Sequence, residues 1–121
     1  MADKIVINLA TGLEDPERVT VAFLVGTAAL AKGKQVSMFL TKEAVRLVLP
    51  GHAQGTACEG CPPLERLFAQ YAEGGGELLT CPYCFNARGL DESVMVASAT
   101  IGGATPLFDW IGDDGATVFS Y

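Results

Sequence analysis

The sequence predicts an α/β protein, a three-layer α/β/α sandwich built around a mostly parallel five-stranded sheet. Strand-like and helix-like segments alternate along the chain, which implies parallel pairing with right-handed crossovers. Half of the 121 residues are hydrophobic, and the mean hydropathy is +0.31. This composition is typical of a sheet covered on both faces, or of a surface buried between subunits. The length suits one continuous core, so we expect a single domain over residues 1–121.

The first strand and the first helix have clear sequence signals. Lys4–Leu9 is rich in β-branched residues, as expected of a short buried strand. Asp15 is placed to cap a helix over Pro16–Lys32, because aspartate caps free N–H groups and proline suits the first helical position. Gly33 is expected to end this helix. Gly26 costs about 1 kcal/mol of helix propensity against alanine, which indicates a close backbone approach at that point.

A second strand and helix follow, and then a segment of a different kind. Gln35–Leu40 is predicted to be a strand, and Thr41 is predicted to cap a helix over Lys42–Leu49. Residues 51–63 have no hydrophobic period and are rich in turn formers, so we expect a loop, which carries two of the cysteines. A third helix follows, and its core stripe at helical spacing is Leu64, Leu67, Phe68 and Tyr71.

Three further strands complete the predicted sheet. They are expected over Glu77–Thr80, Ser93–Thr100 and Ala116–Ser120. A short helix that opens at Thr105 separates the last two of them. In open parallel sheets, ligands and chemistry gather beyond the carboxyl ends of the strands. The residue that follows Thr80 therefore occupies a position suited to function.

The charge balance excludes several classes of partner. The chain has 8 basic and 14 acidic residues, a formal charge of −6 and an isoelectric point near 4.6. Nucleic acids and anionic membranes both require a basic surface, so neither is expected as a partner. No apolar run reaches the ~18 residues needed to span a bilayer, and no signal-peptide pattern opens the sequence. We therefore expect a cytoplasmic protein, whose four cysteines indicate sulfur, redox or metal chemistry.

The stretch from Gly74 to Leu90 is the centre of the functional prediction. It places Cys81 where a strand ends and a helix begins, with Pro82 at the first helical position and Cys84 one turn later. Free backbone N–H groups and the positive end of the helix dipole favour a thiolate at such a position. The sequence therefore predicts a reactive sulfur at Cys81.

Two other interpretations of the cysteines stay open. The pattern Cys58-x2-Cys61 followed by Cys81-x2-Cys84 falls within the range of zinc sites, and the same four thiolates can hold an iron–sulfur cluster. This alternative requires the loop to fold back over the end of the third strand. Dithiol–disulfide redox chemistry is the other alternative, because cysteines at i and i+3 of a helix are close enough to pair. No G-x-G-x-x-G pattern is present, so no nucleotide cofactor is expected.

The whole segment C-P-Y-C-F-N-A-R-G-L resembles the DsrE/DsrF-like sulfur-relay family, YchN-type members included. Members carry a C-x-x-C-x-x-A-R-G-like segment after the third strand. The resemblance extends to the initial strand, the long helix of small and apolar residues, the T-K-E-A-V-R-L segment and the final A-T-V-F-S-Y strand. It implies a flavodoxin-like fold and a homo-oligomer, often a trimer or a hexamer.

The resemblance also implies a role for each cysteine of the segment. Cys81 matches the cysteine that holds sulfane sulfur as a persulfide in the relay members, and Cys84 matches the second cysteine of YchN-type members. The implied partners are sulfur-donor and sulfur-acceptor proteins, and the resemblance leaves open whether the chain is a sulfurtransferase or only a carrier. Cys58 and Cys61 in the loop depart from the family pattern.

Other residues near the cysteines have less specific signals. Arg88 either adds positive potential to the site or is a solvated cation at the helix end, and Asn86 is equally open. Tyr83 and Phe85 are expected to be packing residues. His52, the only histidine, is expected to be a loop residue.

Overall fold

The computed structural model describes residues 3–57 and 59–121. Its five strands form one sheet in the order β4-β3-β2-β1-β5, and every pair of neighbours is parallel. This confirms the predicted α/β class. The strands are β1 Lys4–Leu9, β2 Gln35–Leu40, β3 Glu77–Thr80, β4 Ala99–Ile101 and β5 Thr117–Ser120. The α-helices are α1 Pro16–Ala31, α2 Leu64–Glu73, α3 Pro82–Ala87 and α4 Ala104–Ile111, and 3₁₀ helices cover Lys42–Val48 and Glu92–Val94.

The strand register brings the functional segment to one rim of the sheet. Leu9 pairs with Leu40, and Leu40 pairs with Thr80, so β1, β2 and β3 end side by side. The ladder continues one residue further, because the N–H of Cys81 donates to the carbonyl oxygen of Leu40 at 3.0 Å. On the other side of β3, the N–H of Gly102 donates to Thr80 at 2.9 Å. The residue after β3 therefore lies between the ends of two neighbouring strands.

The hydrophobic core fills one face of the sheet, beneath α1 and α2. Tyr71 of α2 lies edge-on to Phe23 of α1, with ring centroids 5.5 Å apart, and its hydroxyl donates to the carbonyl oxygen of Glu77 at 2.7 Å. Burial in this core raises the pKa of Tyr71 far above its usual value. At Gly26 a Cβ atom would lie 2.9 Å from the Tyr71 ring. The close approach predicted for this glycine is thus confirmed, and the contact is with α2.

α4 lies on the opposite face of the sheet, and none of its residues is buried. Lys4 points to this face and donates to the carbonyl oxygen of Ile111 at 3.2 Å, while its ammonium lies 5.3 Å from the centre of the Trp110 ring. A cation at the last carbonyl groups of a helix stabilises its end. This helix is short. Residues 86–121 are all described, and Gly102 is the one buried residue among them.

Two predicted elements differ in the structure. The segment after β2 is a 3₁₀ helix that ends at Val48, and the Thr41 side chain makes no capping bond. Four of its seven residues are buried, so packing against the core determines its conformation more than helix propensity does. The predicted strand Ser93–Thr100 is wrong over residues 93–98, since β4 begins only at Ala99. Asp91 accepts bonds from the N–H and the hydroxyl of Ser93, which close a turn instead of extending the chain.

The segment from residue 51 to residue 63 forms turns over its described part, 51–57 and 59–63. It is joined to the flanking elements by backbone bonds, from the N–H of His52 to Leu49 at 3.2 Å and from the N–H of Leu64 to Thr56 at 2.9 Å. Within the described residues, no helix combines the length and the apolar character needed to cross a membrane.

Candidate functional site

Cys81 lies at the rim of the sheet, between β3 and α3. Its backbone is still extended, with φ −60° and ψ 120°, and Pro82 follows as the first residue of the helix. Its carbonyl oxygen accepts the N–H of Phe85 at 3.1 Å, which closes the first helical turn. The thiol is free and half-buried. The predicted position at a strand end and a helix start is therefore what the structure shows.

Cys84 is one turn further along the same helix and has a different environment. Its thiol is also free, and the residue is half-buried and packed against the hydrophobic core. Phe85 is 1% exposed and fixes α3 to that core, as predicted for a packing residue. Tyr83 is 83% exposed, so its predicted packing role is wrong. The reason is the helical period, which turns residue 83 away from the protein when residue 85 points inward.

Arg88 is paired, so it is not a solvated cation at the helix end. Its side chain is 24% exposed and forms an ion pair with Glu43. It also donates from Nη1 to the backbone oxygen of Cys84 at 3.0 Å. The other carboxylate oxygen of Glu43 accepts a bond from Nε of Arg46 at 2.9 Å. The bonds from Arg88 and then from Arg46 hold the pKa of Glu43 below its ordinary value.

Asn86 and His52 complete the set of predicted residues near the site. Asn86 is exposed on α3, and its supporting role stays a prediction. His52 lies in a turn, as expected for a loop residue. Partial burial, and then the positive charge of Arg46, lower the pKa of the His52 imidazole below its ordinary value. The neutral form of the imidazole is therefore favoured.

The described residues do not form the four-cysteine metal site that the sequence left open. Cys61 is disulfide-bonded, and Cys58 lies outside the described residues. In residues 3–57 and 59–121, no group of three or more His, Cys, Asp or Glu side chains is placed to hold a metal ion. A disulfide sulfur is not the thiolate that a zinc or iron–sulfur site requires. The described part of the site fits a pair of free thiols.

Glu43 is the residue near the site that the sequence interpretation did not single out. A usable signal existed, because Glu43 and Arg46 are spaced i, i+3 directly after β2, and β2 is the strand next to β3. Neighbouring parallel strands end at the same rim, so charged residues just after β2 are expected close to those just after β3. The partner of Glu43 on α3, however, is 45 positions away in the chain.

Solved structures with the same fold come from several organisms. The YchN protein of E. coli superposes with a TM-score of 0.73 at 16% identity, over 98% of this chain and 100% of that one. The protein MTH1491 of Methanobacterium thermoautotrophicum has a TM-score of 0.72 at 10% identity, over 98% of each chain. The protein BT1422 of Bacteroides thetaiotaomicron has a TM-score of 0.67 at 19% identity, over 98% of this chain and 95% of that one.

Sequence comparisons support the same relationship. The uncharacterized protein MK0008 of Methanopyrus kandleri is 26% identical over 117 residues, which are 97% of this chain and 93% of that protein. The model of the DsrE/DsrF-like family matches residues 3–120. The chain therefore belongs to the DsrE/DsrF-like family.

Proposed function

We propose that this protein is a sulfur carrier that accepts sulfane sulfur on Cys81 as a persulfide and passes it to another thiol. The observation that carries the proposal is the free, half-buried thiol of Cys81 at the rim of the parallel sheet, at the start of α3. Membership of the DsrE/DsrF-like family supports a sulfur-relay role in general terms. Cys81 matches the sulfur-bearing position of the segment that is typical of relay members.

The proposed transfer is a thiol exchange that needs no cofactor. The Cys81 thiolate attacks the outer sulfur of a donor persulfide, R–S–SH. The new S–S bond forms as the S–S bond of the donor breaks, giving Cys81–S–SH and the donor thiolate R–S⁻. Delivery repeats the step with an acceptor thiolate as the nucleophile. Atoms and charge balance in each step, and no external oxidant or reductant takes part.

Cys84 gives the persulfide a second possible reaction. The Cys84 thiolate can attack the inner sulfur of Cys81–S–SH, which expels hydrosulfide and leaves a disulfide between Cys81 and Cys84. A thiol reductant would then restore the two free thiols. Because Cys84 packs against the core while Cys81 lies at the rim, we assign acceptance to Cys81 and resolution to Cys84.

The partners in this proposal are a donor protein and an acceptor protein in the cytoplasm, and the carrier itself is a trimer or a hexamer. The exposed ring of Tyr83, adjacent to the thiols, offers apolar surface for a partner. Apolar residues of the C-terminal elements are also exposed, including Phe108 at 68% and Val118 at 56%. Surfaces of this kind are commonly covered in assemblies. Sedimentation or size-exclusion chromatography of the purified protein tests the oligomeric state.

Intact-mass measurement after treatment with glutathione persulfide tests the carrier function. The wild-type protein should gain the mass of one sulfur atom, and Cys84→Ser should gain it and hold it longer because resolution is blocked. Cys81→Ser should show no gain in mass from added sulfur. Full loading of Cys81→Ser would overturn the proposal.

Dithiol–disulfide redox activity is a second candidate, favoured by the two free thiols one helical turn apart. The same variants separate the two functions. Cys84→Ser abolishes disulfide exchange by this pair but leaves sulfur acceptance intact. A wild-type protein that exchanges disulfides with glutathione and takes up no sulfur would favour the redox function.

A further inference from the structure

The helix that carries both cysteines is too short to be stable by itself. α3 has six residues, and isolated helices of that length do not form in water. Its order must therefore come from contacts with the rest of the protein. Phe85 provides one such contact through burial in the core. The last turn is held by a second contact, the side chain of Arg88.

Arg88 connects the backbone of the cysteine helix to a neighbouring element. Its Nη1 donates to the carbonyl oxygen of Cys84 at 3.0 Å, and the last carbonyl groups of a helix lack intrahelical partners. Its Nε donates to Glu43, on the 3₁₀ helix that packs against α3. One rigid guanidinium thus joins the last turn of α3 to a carboxylate that follows the adjacent strand.

Glu43 is itself held in place. Arg46 binds its second oxygen at 2.9 Å. Lys42, the residue before it, has a left-handed backbone with φ 53°, which turns the chain sharply after β2. Gly12 lies so close that a Cβ atom there would be 2.7 Å from the carbonyl oxygen of Glu43. The backbone at the ends of β1 and β2 therefore holds Glu43 in a fixed position.

We propose that Glu43 is a positioning residue for the cysteine site, which acts by holding Arg88 against the carbonyl oxygen of Cys84. The inference rests on the proposed sulfur-carrier function and adds a residue to it. Glu43 does not contact the reacting sulfur in this proposal. It fixes the last turn of α3, and through that turn the direction in which Cys81 and Cys84 present their thiols.

If Glu43 acted on the site through its charge alone, replacing it with glutamine would change sulfur uptake in the opposite direction from a loss of positioning. The groups that face this part of the site are Glu43, Arg46, Arg88 and the imidazole of His52. Replacing the carboxylate by a neutral amide leaves both guanidinium groups without their counterion. A more positive site favours the thiolate, so a charge effect raises sulfur uptake at low pH. Loss of positioning lowers uptake at every pH, including the plateau where the thiol is fully ionised.

The test measures sulfur uptake from glutathione persulfide against pH in Glu43→Gln, with Glu73→Gln as the matched control. Glu73 is exposed at the end of α2, and its replacement changes the net charge by the same amount. We expect the plateau rate of Glu43→Gln to fall about tenfold, the kind of loss caused by small misplacements. Glu73→Gln should match the wild type, and Glu43→Asp should recover part of the rate.

Amide hydrogen exchange of α3 gives a readout that does not depend on sulfur chemistry. The N–H of Phe85, bonded to Cys81, should exchange faster in Glu43→Gln than in Glu73→Gln. If no protein takes up sulfur while this difference is seen, the carrier function fails and the positioning role stands. An unchanged or raised plateau rate, or equal α3 exchange in Glu43→Gln and Glu73→Gln, would overturn the positioning role.

Discussion

The chain has two regions of similar apolar character but different burial. Among the described residues, every buried member of the hydrophobic core lies between Ile5 and Phe85. In residues 91–121, Gly102 is the one buried position, and all four residues of β5 are exposed. Open edge strands and exposed aromatic rings are usually covered in a stable protein. The difference indicates that the first region folds around its own core, whereas the second region leaves apolar surface exposed, which in the proposed assembly would be covered by another chain.

The cysteine site lies at the boundary between these regions. Phe85 and Arg88 connect α3 to the packed region, while Gly103, at the start of α4, approaches Pro82 from the other region. A Cβ atom on Gly103 would lie 3.8 Å from the Pro82 ring. The thiols are therefore held by the stable region and bordered by the region with the exposed apolar surface. A partner chain bound there would be close to the sulfur.

The largest expected effect comes from removing a core ring. Phe85→Ala should lower the free energy of unfolding by about 3–5 kcal/mol, because the ring is fully buried and leaves a cavity. Phe108→Ala removes the same group from a ring that is 68% exposed. At a concentration where the chain is monomeric, its loss should stay within about 0.5 kcal/mol. Urea unfolding checks both values. Equal losses in the free energy of unfolding would contradict the difference in burial between the two regions.

The next effect concerns association of subunits. Phe108→Asp and Val118→Asp place a charge on the exposed apolar surface, and should shift the protein to smaller species on a sizing column. Leu24→Asp, on the outer face of α1 where Leu24 is 41% exposed, adds the same charge in the packed region. We expect it to leave the assembly intact. Dissociation by Leu24→Asp alone would place the interface on α1, in the packed region, and would contradict the role assigned to the exposed C-terminal surface.

A smaller effect is expected at the start of α1. The Asp15 carboxylate accepts the N–H of Arg18 at 3.1 Å, whereas Gly103 starts α4 without a side-chain cap. Asp15→Ala should therefore cost about 1 kcal/mol in thermal or urea unfolding. Asp113→Ala, in an exposed turn before β5, is the matched control and should change stability little. A loss at Asp113 as large as that at Asp15 would contradict the assignment.

Acidification should weaken the packed region in a defined order. The folded-state pKa of His52 is lowered by burial and by Arg46, and that of Glu43 by Arg88 and Arg46. A group with a lowered folded pKa contributes stability that is fully present above its unfolded pKa and is lost as the pH falls. The loss should begin below about pH 6.5 for His52 and below about pH 4.3 for Glu43.

Urea midpoints measured between pH 8 and pH 3 check this order. His52→Gln should remove the first step, and Glu43→Gln should reduce the second. Asp91 contributes to the acid step as well, because its bonds to Ser93 lower its pKa. A midpoint that rises as the pH falls from 7 to 5 would contradict the sign of the prediction.

Much of the fold could be predicted because its signals are local. The bounds of β1, β2 and β3 follow from apolar segments bordered by turn residues, and those of α1 follow from Asp15, Pro16 and Gly33. The end of the chain was harder to predict. The segment before β4 is apolar enough for a strand, but the bonds of Asp91 to Ser93 form a 3₁₀ turn there.

The site could be predicted only where its signals are local in the sequence. The position of Cys81 at the start of α3 follows from local signals alone, since a strand end, a proline and a helix start are adjacent in the sequence. The partner of Arg88 could not be read in this way, because Glu43 is distant in the chain and meets Arg88 through strand pairing. The exposure of Tyr83 follows from which side of a six-residue helix faces the core, and Phe85 determines that side.

The most direct test of the central claim is to locate the sulfur in the wild-type protein. After one equivalent of glutathione persulfide, the protein is blocked with an alkylating agent and its peptide containing Cys81 and Cys84 is fragmented in a mass spectrometer. The account predicts the added sulfur on Cys81, the half-buried rim thiol. Resolution by Cys84 would instead leave a disulfide between Cys81 and Cys84. Added sulfur on Cys84 with an unmodified Cys81, or two free thiols with neither added sulfur nor a disulfide, would contradict the account.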